Sequence, residues 1–420
     1  MIQLKSASSK KEKEEKSVQK RVSEIIEKVK KEGDKALREY NTLFDGCYRE
    51  SYKITEEEIQ KAYREVKPST LADLKFAAKN IEKFAKRQKG VLRDLKEEEV
   101  LPGVFLGHRA IPIESCAGYV PGGRYPLPSS ALMSIIPAKV AGVKRIVTCS
   151  PAVKGTKTIH PATLVAMDLA GANEIYAMGG SQAIAALAYG TDHIKAVDMI
   201  VGPGNQYVTE AKRQVSGKVG IDFLAGPSEV VVIADETANP KIIAADILAQ
   251  SEHDPQARGI LLCTDEKVGR KTIEEVDKFL KELPTKDIAK IAWENNGEII
   301  LLNTLEEVIC ISNKLAPEHL EIQVKSPDDI VSKLTSYGSL FIGEGAAEVF
   351  GDYVAGTNHI LPTMEAARYT GGVWVGSFMK IVTNQRVTKE GLKQIAPIAS
   401  RLGELEGLFA HKLAADVRLK

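Results

Sequence analysis

The chain reads as an α/β protein: two parallel-sheet domains of similar build, a helical N-terminal region before them and a helical C-terminal tail after them. Three observations predict this. From Pro112 onward, strand-like apolar runs alternate with helix-length stretches, the signature of a parallel sheet covered on both faces. The alternation is set twice, once on each side of Ala225-Gly226-Pro227. The first hundred residues carry the helical period instead. The divisions fall at 1–110, 111–225, 226–381 and 382–420.

The elements follow in order. Residues 1–16 are rich in Lys, Glu and Ser and have little to bury, so they are expected to be disordered or ordered only by a partner. Val18, Val22, Ile25, Ile26 and Val29 share one helical face; Gly33 interrupts it, and a second helix runs through Ala36, Leu37 and Tyr40 to a stop at Gly46. Thr55 with Glu58 reads as a capping box opening a third helix. A fourth spans Thr70 to about Gln88. In the first α/β set the strands are Arg145–Cys149, Glu174–Met178 and Val197–Val201, each followed by a helix. In the second they are Val230–Ala234, Gly259–Cys263, Ile299–Leu302 and Ser339–Ile342. The helices between them run from Pro240 to about Glu252, from Lys267 to Leu283 and from Leu305 to Leu315. From about Val382 the chain reads as short helices ending in a tail. The cleft between the two domains, near the carboxyl ends of the strands, is the expected ligand site.

Composition bounds the function. With 420 residues, 44% apolar and 27% charged, the chain is an ordinary soluble protein of two or three domains. A net charge of +1 gives no field to recruit nucleic acid or a membrane surface. The five cysteines are scattered without a CxxC pair, which fits reduced thiols and a cytoplasmic location. No apolar run reaches the length of a membrane span, and the N-terminus lacks the layout of a secretory signal.

Leu315-Ala-Pro-Glu318-His319-Leu320 places a carboxylate beside an imidazole just after a helix-ending proline, on a connecting loop. Such a pair can serve two proton transfers, or simply face water. Gln250 and His253 lie i, i+3 at the end of a helix and can face one point. Asp352, His359 and His411 stand in polar, loop-flanked settings further on. Two imidazoles, an aspartate and an amide suit zinc, although the long spacings form no metal motif. Three glycine-rich loops, at Tyr119–Pro126, Met178–Gln182 and Val201–Tyr207, set backbone N–H groups at helix starts, where an anion such as a pyrophosphate binds. Arg124 could add a charged contact there. None is a G-x-G-x-x-G, and Gly343-Glu-Gly-Ala-Ala-Glu348 also misses, with Glu348 in place of the third glycine. Ser228, at the domain junction, could donate to a substrate or merely cap a turn.

Taken together, these strings resemble the histidinol dehydrogenase family. They comprise Tyr119-Val-Pro-Gly-Gly, Gly202-Pro-Gly-Asn, Gly220 through Gly226-Pro-Ser-Glu, Gln250-Ser-Glu-His-Asp-Pro and Ala316-Pro-Glu-His-Leu. Gly351-Asp-Tyr, Gly356-Thr-Asn-His-Ile-Leu-Pro and Glu406-Gly-Leu-Phe-Ala-His411 complete the set. The resemblance spans residues 20–415 and implies two incomplete Rossmann-like domains. It implies a four-electron oxidation of L-histidinol to L-histidine through bound L-histidinal, reducing two NAD+, as the last step of histidine biosynthesis. It implies one zinc per subunit on Gln250, His253, Asp352 and His411, and Glu318 and His319 as the acid/base pair. Ser228, His359 and Glu406 would lie at the substrate together with His319 and the zinc ligands, and Tyr119, Gln182 and Asn205 at NAD. It further implies a homodimer whose tail carries Glu406 and His411 to the partner's site. The residues alone leave open a zinc hydrolase, with Glu318 activating a metal-bound water, and a non-catalytic binding protein.

Overall fold

A computed structural model describes residues 2–7, 15–122 and 125–419; Arg124 lies outside them. The strands in chain order are β1 (Ile2–Lys5), β2 (Leu95–Leu101), β3 (Val104–Pro112), β4 (Ser115–Tyr119), β5 (Arg145–Ser150), β6 (Glu174–Ala177) and β7 (Met199–Val201). They continue with β8 (Gly220–Ile221), β9 (Glu229–Ala234), β10 (Arg258–Cys263), β11 (Glu298–Leu301), β12 (His319–Gln323), β13 (Ser339–Ile342) and β14 (Met379–Val387).

The first sheet runs β6-β5-β4-β7-β8, all parallel. The second runs β11-β10-β9-β12-β13, also parallel. Counted from the first strand of each, both orders are 3-2-1-4-5, the dinucleotide-binding order without its sixth strand. The similar, incomplete Rossmann-like build expected from the sequence is therefore present. β4, the central strand of the first sheet, escapes a reading by apolar runs because Ser115-Cys-Ala-Gly-Tyr has no aliphatic run, yet all five of its residues are buried.

The N-terminal helices are not a separate body. Helices Glu15–Glu32 and Asp34–Asp45 pack with the helices Gly180–Tyr189 and Gln206–Val215 over one face of the first sheet. Helices Glu56–Glu65 and Pro68–Lys89 pack with Pro128–Ala141 and Pro161–Ala170 over the other. The Thr55 capping box is formed, and Gly46 ends its helix in the left-handed conformation.

Four expectations change. Ile2–Lys5 is a strand rather than disordered: it pairs antiparallel with β11 and closes the edge of the second sheet. An open sheet edge supplies the hydrogen bonds that so short a segment lacks alone, and Lys5 also bonds the Gly297 carbonyl at 2.6 Å and lies over the Trp293 ring. Residues 8–14 of the same segment lie outside the described residues. Secondly, β2, β3 and β14 form a separate antiparallel sheet. The tail thus leaves a strand and continues in a long helix, Lys389–Leu405, before the short helix Phe409–Asp416. β2 is exposed along its whole length, so no apolar alternation marks it. Thirdly, an additional helix, Lys286–Asn296, precedes β11. Fourthly, the two sheets do not both present their carboxyl ends to the site. Glu318 and His319 lie at the amino ends of β9 and β12, and the helix Pro128–Ala141, which follows β4, is tied to their surroundings from the first sheet, through Ser130 and His359.

Candidate active site

The site begins where helix Leu305–Leu315 stops. Ala316 takes a left-handed conformation, Pro317 blocks further helix, and the chain turns into β12. Glu318 lies on the loop as expected, but His319 is the first residue of β12. Neither is a solvated surface group: they are 6% and 3% exposed. β12 pairs with β9, which brings Glu229 against both. The Glu229 N–H donates to Glu318 Oε2 at 2.9 Å, and its carbonyl accepts from His319 Nδ1 at 3.2 Å. Because a carbonyl can only accept, Nδ1 carries the proton of the neutral ring. Nε2 is left as the buried free end, without a hydrogen-bond partner and 3.8 Å from Asp352 Oδ1.

Asp352 and Glu348 lie one turn apart on the short helix Glu348–Tyr353 and project together. With His253 they form a cluster whose ligand atoms all lie within 4.8 Å of one another. Gln250, in the last turn of helix Pro240–Ser251, sets its amide nitrogen 2.9 Å from a Glu348 oxygen and its amide oxygen 3.3 Å from the Glu229 N–H, in the orientation that satisfies both. His359 donates through Nδ1 to the Asp352 carbonyl at 3.0 Å and accepts at Nε2 from the Ser130 hydroxyl at 3.2 Å, tying the cluster to the first sheet's helix Pro128–Ala141.

Burial and like charge govern the electrostatics. Burial pushes the Glu348 carboxyl well above its ordinary range, and Asp352, Glu321 and Glu318 add to this against His319. Burial likewise opposes charge on Asp352, but His319, His359 and His253 outweigh it and hold that carboxyl low. Burial disfavours the His319 cation, yet Glu348, Glu318 and Asp352 prevail and raise it well above the usual imidazole range. Burial and Glu318 push Glu229 up to about 7. A buried and a partly buried carboxylate, an imidazole and an amide are nitrogen and oxygen donors of the kind zinc takes, and the repulsion between the carboxylates is what a divalent cation relieves. The donor set fits the metal.

Not every expected residue joins this cluster. Ser228 precedes Glu229 directly, and its carbonyl accepts from the Arg258 N–H at 3.0 Å. Tyr119 is buried at the end of β4, its hydroxyl accepting from the Gly180 N–H at 3.1 Å. Gln182 is buried and donates to Asn41 at 3.1 Å. Asn205 is exposed and caps helix Gln206–Val215, accepting from the N–H groups of Tyr207 and Val208. Glu406 and His411 are exposed on the tail, and the single chain does not bring them to the cluster. Two members were missed in the sequence. Glu348 registered only as a spoiled glycine, although its i, i+4 spacing to Asp352 was a usable signal. Glu229 contributes mainly through its backbone, which no side-chain pattern reveals.

Two sheets of dinucleotide-binding order with a buried carboxylate–imidazole pair are an architecture that suits an NAD-dependent oxidoreductase. The comparisons narrow that class. The sequence model described as Histidinol dehydrogenase matches residues 8–419, and the chain belongs to that family. A histidinol dehydrogenase of Methanocaldococcus jannaschii is 47% identical, the match covering 95% of this chain and 92% of the relative. A protein of Shouchella clausii named histidinol dehydrogenase homolog is also 47% identical, over 96% of this chain and 94% of its own. The crystal structure of histidinol dehydrogenase from Elizabethkingia anophelis superposes with a TM-score of 0.92 at 42% identity, covering 98% of this chain and 94% of that one.

Proposed function

We propose that the chain oxidises L-histidinol to L-histidine through enzyme-bound L-histidinal, reducing two NAD+ in the cytoplasm as the last step of histidine biosynthesis. The observation that carries this is the buried Glu318–His319 pair facing the His253, Glu348 and Asp352 cluster. His253, Asp352 and Gln250 would hold one zinc per subunit with His411, and Glu348 stands beside them; the metal, when bound, orients the substrate's nitrogens. A cation on Asp352 would offset part of the negative charge that favours the protonated form of His319. Its Nε2 then accepts the alcohol proton as hydride leaves the carbon for NAD+. Glu318, held by the Glu229 N–H, takes a proton from water as the oxygen adds to the aldehyde. His319 returns its proton to the aldehyde oxygen as the water adds, and is then neutral again to accept a hydroxyl proton of the hydrate in the second hydride transfer; the acid so formed releases its proton to solvent as the carboxylate. Ser228 and His359 are assigned to the substrate, and Tyr119, Gln182 and Asn205 to NAD.

The tail supports a homodimer. Leu405, Phe409 and Leu413 are 81%, 65% and 61% exposed, an apolar strip suited to cover by a second copy. In that arrangement Glu406 and His411 reach the partner's site.

The test is NADH formed per L-histidinol consumed, before and after zinc chelation. Two NADH per substrate, lost on chelation and restored by zinc, are expected. One NADH refutes the second oxidation. None, from folded and zinc-loaded protein, moves the substrate to a related amino alcohol.

A further inference from the structure

Among the described residues, a buried ion pair lies beneath one glycine loop of the first sheet, away from the metal cluster. Lys212, in helix Gln206–Val215, and Asp222, just after β8, are 2% and 1% exposed in their side chains and pair directly. Both also bind the same residue. Lys212 Nζ donates to the Gly202 carbonyl at 3.0 Å, and the Gly202 N–H donates to Asp222 Oδ2 at 2.8 Å. The other Asp222 oxygen accepts from the Phe223 N–H at 2.8 Å. Gly202 follows β7 and has a φ of +120°, and a Cβ there would overlap the Tyr119 carbonyl. A Cβ on Gly204 would overlap the Val208 side chain. The loop Gly202–Asn205 is thus pressed against β4 on one side and its own helix on the other, and both peptide groups of its first residue are tied to one charged pair.

An ion pair is a poor way merely to fix a helix to a sheet. Desolvating both charges costs as much as their attraction returns, and apolar residues of similar volume serve stability as well or better. What apolar residues cannot do is hold the N–H and C=O of one peptide residue in a set orientation. We infer that Lys212 and Asp222 are positioning residues for the dinucleotide: by gripping Gly202 they set the loop that presents Asn205 and the first turn of helix Gln206–Val215 to NAD+. The inference rests on the reading that this loop contacts NAD+.

The test replaces both charges at once, Lys212→Met with Asp222→Leu, in the full-length zinc-loaded protein. Circular dichroism checks the fold. The KM for NAD+ and for L-histidinol, kcat and zinc content are then measured. The positioning role predicts a rise in KM for NAD+ of about tenfold, the scale of losing one or two aligned hydrogen bonds. It also predicts unchanged zinc content, an unchanged KM for L-histidinol and a smaller change in kcat. A folded variant with wild-type KM for NAD+ overturns the inference. If this variant does not fold, the neutral pair Lys212→Gln with Asp222→Asn decides. The glutamine is one atom shorter than lysine and loses the Gly202 carbonyl, so the same rise is expected, and an unchanged KM again overturns it. A chain that folds only with the ion pair intact would make the pair structural and would equally refute the role. A wild-type protein without saturable dependence on NAD+ would refute the dinucleotide reading itself, before any variant is compared.

Discussion

Replacing His319 by asparagine separates its chemistry from its place in the fold. The imidazole makes one defined hydrogen bond, from Nδ1 to the Glu229 carbonyl at 3.2 Å, and its other nitrogen is buried without a partner. An asparagine amide can stand where Nδ1 stands and donate to the same carbonyl, so β12 and β9 stay in register. Nothing then occupies the position of Nε2. The variant should fold, bind zinc and bind NAD+, while losing the group that receives the alcohol proton. General-base catalysis of this kind contributes about a hundredfold to ten-thousandfold, or about 3 to 5 kcal/mol of barrier. The assay is kcat for NADH formation from L-histidinol, and separately from L-histidinal, at saturating NAD+. Both should fall, because the same nitrogen serves both oxidations, and activity should recover in part as rising pH supplies the alkoxide without a base. A folded, zinc-loaded His319→Asn protein with undiminished kcat would refute the assignment.

Glu318→Gln keeps an acceptor for the Glu229 N–H but cannot activate water; it should spare the first oxidation and slow the second, giving one NADH per L-histidinol where the parent gives two. Glu348→Gln removes a buried carboxylate next to His253, Asp352 and Gln250; zinc retention under a competing chelator should fall about ten- to a hundredfold, and unchanged retention would take Glu348 out of the metal's surroundings. Asp45 is pushed up by burial from 3.8 to about 6, so the folded chain binds this proton more tightly than the unfolded chain. Stability from this group is therefore lost as pH rises from about 4 through about 6, up to about 2 to 3 kcal/mol. Asp45→Asn should raise the urea midpoint at pH 7.5 and leave it nearly unchanged near pH 3.5, where the carboxyl is largely protonated in both states. Deleting residues 1–7 exposes the β11 edge and the face of Trp293, and should lower Tm; an unchanged Tm would mean that β1 adds nothing to the second sheet.

What the sequence made legible follows from how far each signal reaches. The parallel strands buried on both faces, β5, β9 and β10, announced themselves as aliphatic runs, and the capping box at Thr55 was a local pattern with a local cause. β1 and β2 were invisible for opposite reasons. β1 owes its order to a sheet edge assembled almost 300 residues away, and β2 is exposed throughout and so leaves no periodicity. In the site, His319 and Glu318 were found, but not their burial, because that depends on β12 entering the sheet beside β9. The convergence of His253 and Asp352, a hundred residues apart, lay beyond any spacing argument. So did the separation of Glu406 and His411 from the site of their own chain.

The placement of that site shows how one strand end positions both an acid and an imidazole. The amino end of β9 supplies a free N–H and a free carbonyl at a single residue, Glu229, and the neighbouring strand β12 starts with the two groups that need them. The N–H polarises the carboxylate of Glu318, and the carbonyl fixes the proton on Nδ1 of His319 and so aims Nε2 into the cluster. His359, bonded to the Asp352 carbonyl, bridges this cluster to helix Pro128–Ala141 of the first sheet through Ser130.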